Sequence, residues 1–147
     1  MLIDDCYISY LNLDHRKDRL ESIIRETNNS GLNAVRTRGK LPEEYDLSDP
    51  KLQVMYNRTR GAIGCHYGQV QIMAEAMFKG KHAMVLEDDC IFCSDFQDRM
   101  VLIDEFLKDR DWQIFWLGGT YHPHNQTWWH KIGHGPDLPQ CECTLGV

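Results

Sequence analysis

His82-Ala83-Met84-Val85-Leu86-Glu87-Asp88-Asp89 is an apolar run that ends in three consecutive carboxylates. Met84 to Leu86 is too short for a helix and reads as a buried strand of an α/β sheet. Glu87 to Asp89 then stand where the strand leaves the sheet, and in open α/β folds ligands bind at the carboxyl ends of strands. Three adjacent negative charges repel one another, and burial raises that cost, so they call for a cation or for good solvation. Oxygen donors of this kind suit a hard divalent ion such as Mg²⁺ or Mn²⁺. A solvated acidic turn behind a core strand is the plain alternative.

On the amino-terminal side of this strand, Gly61-Ala62-Ile63-Gly64-Cys65-His66 is a glycine-marked lead-in to a helix. From His66 to Phe78 the apolar set Val70, Met73, Ala74, Met77 and Phe78 recurs at three and four, a stripe expected to face the core. Met73 and Met77 are core residues on this reading, and Gly80 ends the helix. On the other side, Phe92, Phe96, Met100, Ile103 and Phe106 predict a helix from near Asp95, capped by Ser94. Asp111-Trp112-Gln113-Ile114-Phe115-Trp116-Leu117 predicts a further strand, closed by Gly118-Gly119 as a second loop at the same sheet edge.

The chain begins with Cys6-Tyr7-Ile8-Ser9-Tyr10-Leu11 as a first strand, broken by Asn12-Leu13-Asp14-His15. Leu20, Ile23, Ile24 and Thr27 give Arg16 to about Asn28 a helical period, with Asp14 as its cap and Asn28-Asn29-Ser30-Gly31 as its stop. Strand, short loop and helix make the opening half of a βαβ unit. Arg16 and Arg19 share one face of the helix. They either reach over the sheet end toward a phosphate or lie on a solvated face with Lys17, Asp18 and Glu21. Asn33 to Thr37 is a weaker second strand, 39–50 is loop-like, and Lys51 to Asn57 is a brief helix.

From about residue 120 the pattern is irregular, with Tyr121, His122, His124, Trp128, Trp129, His130 and His134 in no periodic order. Aromatic residues there either stack on sugar or base faces or plug the open end of a core. The histidines match none of the strong zinc spacings.

At 147 residues the chain makes one hydrophobic core, and two full domains are not expected. A formal charge of −6 gives no footprint for nucleic acid or anionic membrane, although arginines held in a cleft can still bind a diphosphate. No apolar run approaches the ~18 residues of a membrane span, and Asp4 and Asp5 interrupt any secretory segment, so the expected compartment is the cytoplasm. The six cysteines are then free thiols rather than a disulfide framework. Cys6 and Cys65 read as small core hydrophobes. Cys90-x-x-Cys93 with Cys141-x-Cys143 is a poor zinc set, because Cys-x-Cys is shorter than the usual structural spacing.

Taken together, these segments resemble the lipooligosaccharide and procollagen-type glycosyltransferases, glycosyltransferase family 25. YISYLNLDHRKDRL (Tyr7 to Leu20) is similar to that family's opening, RGAIGC (Arg60 to Cys65) to its Gly-x-x-Gly-Cys segment, VLEDD (Val85 to Asp89) to its acidic strand end, and DWQIFWLGG (Asp111 to Gly119) to a later strand with terminal glycines. The resemblance implies a Rossmann-like α/β sandwich of the glycosyltransferase A type. Its central sheet would be mostly parallel, binding a nucleotide sugar, commonly a UDP-hexose, with Mn²⁺ or Mg²⁺. By this resemblance Asp89 is the metal ligand and Glu87 and Asp88 orient ribose or metal-bound water. Asn12 and Gly64 lie near the nucleotide, and Arg16 and Arg19 near its phosphates. Asp88 is the nearest carboxylate to serve also as a catalytic base, although a role toward the nucleotide would make it unavailable for that.

The implied activity is transfer of a galactose or glucose unit to a hydroxyl of a glycan or protein acceptor. There are two departures from the family. Gly68 and Gln69 stand where it has Ser-His, and an amide cannot act as an acid or base. The resemblance also covers only Cys6 to Gly119, the donor half, while family members run well past Val147. A shortened or degenerate nucleotide-sugar-binding module is therefore the second reading. A metal-dependent nucleotide hydrolase is a third, disfavoured by the lack of a P-loop or a Gly-x-Gly-x-x-Gly.

Overall fold

A computed structural model describes residues 2–46, 48, 50, 53–54, 60–115 and 117–118. Leu2 to Cys90 form one compact unit, and the residues from Ile91 onward belong to a second.

The first unit is a small α/β domain built on a parallel sheet. A 3-10 turn (Leu2–Asp5) leads into β1 (Cys6–Leu13), followed by α1 (Lys17–Asn29), β2 (Val35–Gly39), a 3-10 turn (Pro42–Glu44), α2 (Arg60–Phe78) and β3 (His82–Glu87). The strands lie side by side in the order β2-β1-β3, and both pairings are parallel. β1 is the central strand, and Ile8, Ser9 and Tyr10 are buried in succession. That run lacks in/out alternation, as expected where helices cover both faces. Right-handed crossovers to opposite sides of β1 put α1 and α2 on opposite faces. The contacts agree: Tyr7 and Leu11 face α2, while the Asn12 side chain turns to the start of α1.

The acidic strand is formed as expected, with Glu87 its last residue. The first strand is longer than its sequence suggested. Asn12 and Leu13 do not break it; they pair with Arg38 and Gly39. β2 is displaced toward the carboxyl end from the expected Asn33 to Thr37, and it carries Arg36 and Arg38 as exposed residues. Inside the sheet, the Ser9 hydroxyl lies 2.9 Å from the Val35 carbonyl and 2.7 Å from the Thr37 hydroxyl, so these buried polar groups satisfy one another.

Both helices of this unit end in Schellman closures on left-handed glycines. Gly31 (φ 68°) bonds back to Asn28 and Leu32 to Thr27, while Gly80 (φ 65°) bonds to Met77 and Lys81 to Ala76. The start of α1 differs from expectation. Arg16 takes the cap position without a side-chain cap bond, and the Asp14 carboxylate instead binds Arg36 and Arg38 at 2.6 Å each. Two guanidiniums next to an acid outcompete a neutral backbone N–H for it.

The largest correction concerns α2. It starts at Arg60, and the face it buries is Gly64, Gly68, Ile72 and Ala76 at intervals of four, with Ile63 beside them. The expected core stripe faces outward: Val70, Met73 and Ala74 are exposed, Met77 is 78% accessible and Phe78 93%. Both stripes have helical spacing, so periodicity alone does not choose between them. Close approach does. A Cβ on Gly64 would lie 2.7 Å from the Lys40 carbonyl oxygen, and one on Gly68 would lie 2.4 Å from Leu11 Cδ1. Only glycine lets the helix sit this near the strands.

In the second unit, α3 (Phe96–Leu107) buries Phe96, Met100, Ile103 and Leu107. Its cap residue is Asp95 rather than Ser94, and Phe106 is only half-buried, 6.4 Å from the Phe115 ring with the Arg110 guanidinium over its face. The strand expected at Asp111 to Leu117 is not formed by its described residues, and Ile114 is exposed there. An apolar run becomes strand only where a neighbouring backbone takes its hydrogen bonds. The expected helix at 51–57 and the aromatic and histidine-rich tail fall mostly or wholly outside the described residues. Among the described residues, no helix is long and apolar enough to cross a membrane. Cys6, Cys65, Cys90 and Cys93 are free thiols, and Cys6 and Cys65 are half-buried rather than core residues.

Candidate site at the carboxyl ends of β1 and β3

In the order β2-β1-β3 the chain leaves β1 to one side for β2 and returns to the other for β3. The gap between the carboxyl ends of β1 and β3 is therefore the topological switch point, where α/β sheets bind ligands. Asn12, near the end of β1, is 2% exposed there. Its amide nitrogen donates to Asp88 Oδ2 at 2.7 Å and to the Arg16 carbonyl at 3.1 Å. Its amide oxygen accepts from Arg36 Nε at 3.1 Å, and Arg36 Nη2 also reaches the Asn12 carbonyl at 3.3 Å. One side chain thus ties together β1, β2, the turn into α1 and the residue after β3.

The three carboxylates do not point one way. Glu87 is still in the strand, in register with Leu11, and it faces α2. There its Oε1 accepts the Cys65 thiol at 3.4 Å and the Gln69 amide at 3.5 Å, while that amide also lies 3.2 Å from the Cys65 sulfur. Partial burial, with the Glu87 charge second, pushes the Cys65 thiol up to about 11. Asp88 turns to the opposite face and is buried between two donors, with Asn12 on Oδ2 and Arg19 Nη1 on Oδ1 at 3.0 Å. Asp89 points outward, its side chain 44% exposed, with Oδ2 3.1 Å from the same Arg19 nitrogen.

The residues singled out from the sequence are therefore brought to one sheet edge, in different roles. Arg19 is at the acidic strand end. The Arg16 guanidinium turns to Asp18, at 2.8 Å, and the residue meets the site through its carbonyl. Gly64 packs the first turns of α2 against the chain just after β2. With each oxygen of Asp88 holding an N–H donor, the group is fitted to position its neighbours. Arg36 is the residue that sequence reading missed. Its signal was an arginine in a strand next to the central one of a parallel sheet, where charge is out of place without a partner.

Among the described residues, no three His, Cys, Asp or Glu side chains converge into a metal cage. A hard cation of the Mg²⁺ type needs none: one or two carboxylates, phosphate oxygens and water suffice for it. Asp89 is the more exposed of the two aspartates and has Arg19 on one oxygen, whereas both oxygens of Asp88 hold donors. The chain matches no known protein-family model, no characterised protein and no solved structure.

Proposed function

We propose that the unit Leu2 to Cys90 is the donor-binding half of a glycosyltransferase of the glycosyltransferase A type. It would take a UDP-sugar at the β1/β3 switch point and pass its hexose, galactose or glucose, to a glycan or protein hydroxyl. The observation that carries this reading is the Asn12–Asp88–Arg19 chain of hydrogen bonds with Asp89 half-exposed beside it. It unites two of the four sequence segments that resemble such enzymes, Tyr7 to Leu20 and Val85 to Asp89, at the place where this architecture binds ligands.

Asp89 is the residue that would hold Mn²⁺ or Mg²⁺, and the ion when bound supplies Lewis-acid neutralisation of the departing diphosphate. Asn12 and Asp88 fix the shape of the site, Arg36 locks Asn12 from the β2 side, and Arg19 brings a positive charge to where phosphate oxygens would lie.

Calorimetric titration with UDP, UDP-galactose and UDP-glucose, in the presence and absence of Mn²⁺, tests the proposal. It expects metal-dependent UDP binding that Asp89→Ala abolishes; a folded protein that binds no UDP with metal present would end it. The second reading, a module that binds the nucleotide sugar without transferring it, is favoured by Gln69. An amide, which is neither acid nor base near neutral pH, faces Glu87 there. Turnover of the donor that disappears in Asp89→Ala would exclude that reading.

A further inference from the structure

A single nitrogen, Arg19 Nη1, stands 3.0 Å from Asp88 Oδ1 and 3.1 Å from Asp89 Oδ2. One positive group is shared between two adjacent acids, the arrangement that a divalent ion would otherwise supply. The two acids are not held equally. Asp88 is buried and has Asn12 as a second partner, while Asp89 is half-exposed and pairs with Arg19 through one oxygen. The weaker half of the bridge is therefore the one to Asp89.

From this asymmetry we infer that Arg19 is an internal counter-ion that a divalent cation must displace from Asp89, and that the released guanidinium, still anchored on Asp88, then binds the phosphate groups that accompany the metal. The identity of those ligands rests on the donor-site reading above. The physical basis is charge. A cation arriving at Asp89 Oδ2 meets a like charge within hydrogen-bonding distance, which opposes it until the guanidinium moves aside. After that movement the same guanidinium has unused N–H donors in a planar fork suited to phosphate oxygens. Arg19 consequently works against metal alone and in favour of metal with diphosphate.

That opposition of signs is the test. With the full chain, Mn²⁺ binding without nucleotide is followed from the electron paramagnetic resonance of free Mn²⁺, and UDP binding in saturating Mn²⁺ by calorimetry. Arg19→Gln is expected to bind Mn²⁺ about tenfold more tightly than the unsubstituted protein, a modest effect because the pair is partly solvated. The same variant binds UDP with Mn²⁺ about tenfold more weakly, having lost a charge-assisted contact to phosphate. Asp89→Asn removes the Mn²⁺ site in either background.

A residue that only supports the fold would weaken both equilibria, and a simple phosphate ligand would weaken UDP and leave Mn²⁺ unchanged; either result overturns the inference. So does Mn²⁺ binding by neither protein. Wild-type protein supplies an independent measurement should Arg19→Gln fail to fold: the Arg19 side-chain N–H resonances shift on Mg²⁺ titration, and their remaining fixed would overturn the inference equally. Failure of the unsubstituted protein to bind UDP with Mn²⁺ counts against the donor-site reading, whereas the Mn²⁺ titrations without nucleotide judge the displacement of Arg19 by itself.

Discussion

Asn12 on β1 and Asp88 just beyond β3 are 76 positions apart in the chain, and their side chains meet at 2.7 Å in the buried end of the sheet. The bond is charge-assisted, and it leaves Asp88 Oδ2 dependent on one donor. Asn12→Ala removes that donor and also the acceptor for Arg36. An unsatisfied buried acceptor costs about 1–3 kcal/mol, and urea denaturation should show a loss of that size. Asn12→Asp puts a second carboxylate beside Asp88 and should be worse at neutral pH.

The two faces of α2 give a second prediction. Ile72 is wholly buried against the sheet, so Ile72→Ala should cost about 2–4 kcal/mol. Met77→Gln and Phe78→Ser change exposed side chains and should alter stability by no more than about 0.5 kcal/mol. If the helix instead buried its larger apolar stripe, the ranking would reverse, and thermal melts of the three variants decide the matter.

The first strand, the acidic strand end and both helix stops were legible because each rests on local chemistry: short apolar runs, carboxylates, and glycines with a left-handed backbone. What was not legible depended on pairing. Asp14 has the place and chemistry of a cap, and nothing in the sequence shows Arg36 and Arg38 arriving from β2. Met73 and Met77 read as core because they fall on a stripe of helical spacing, and spacing does not show that the glycines at 64 and 68 are the points of closest approach. Asp111 to Leu117 has the composition of a strand, and composition does not supply a partner. At the site, the acids were visible, but their division among different faces and partners follows from register.

Three glycines in α2 should respond differently to the same change. Gly64→Ala drives a methyl into the Lys40 carbonyl oxygen, which is backbone and cannot step aside, and Gly68→Ala meets the branched end of Leu11. Each should destabilise by about 1–3 kcal/mol, as overpacked sites do. Gly61 has no atom within 4 Å of the added methyl, so Gly61→Ala should be neutral or stabilise the helix by up to about 1 kcal/mol. Chemical denaturation of the three single variants checks the order.

Cys65 should be inert. With its thiol pushed up to about 11 by partial burial and by Glu87, almost no thiolate exists near neutral pH, and alkylation should be slow until the protein unfolds. Glu87→Gln removes the negative charge and should speed alkylation. Because the folded value lies above the ordinary 9.0, the folded state holds the proton more tightly. The resulting stability is complete below about pH 9 and declines as pH rises from there toward 11. Cys65→Ser should flatten that alkaline decline in melting temperature.

Side chains in a strand alternate between faces, so the duties of Glu87 and Asp88 are assigned by counting from the start of β3 as much as by their chemistry. A single residue inserted ahead of Leu86 would leave the acids in the sequence yet carry Glu to the place beside Asn12 and Arg19 and Leu to the place beside Cys65 and Gln69, while a single deletion would put Asp in both places. The length of β3 is thus itself a coded quantity, and a chain that kept all three acids while losing that count would have the letters of the site without its grammar.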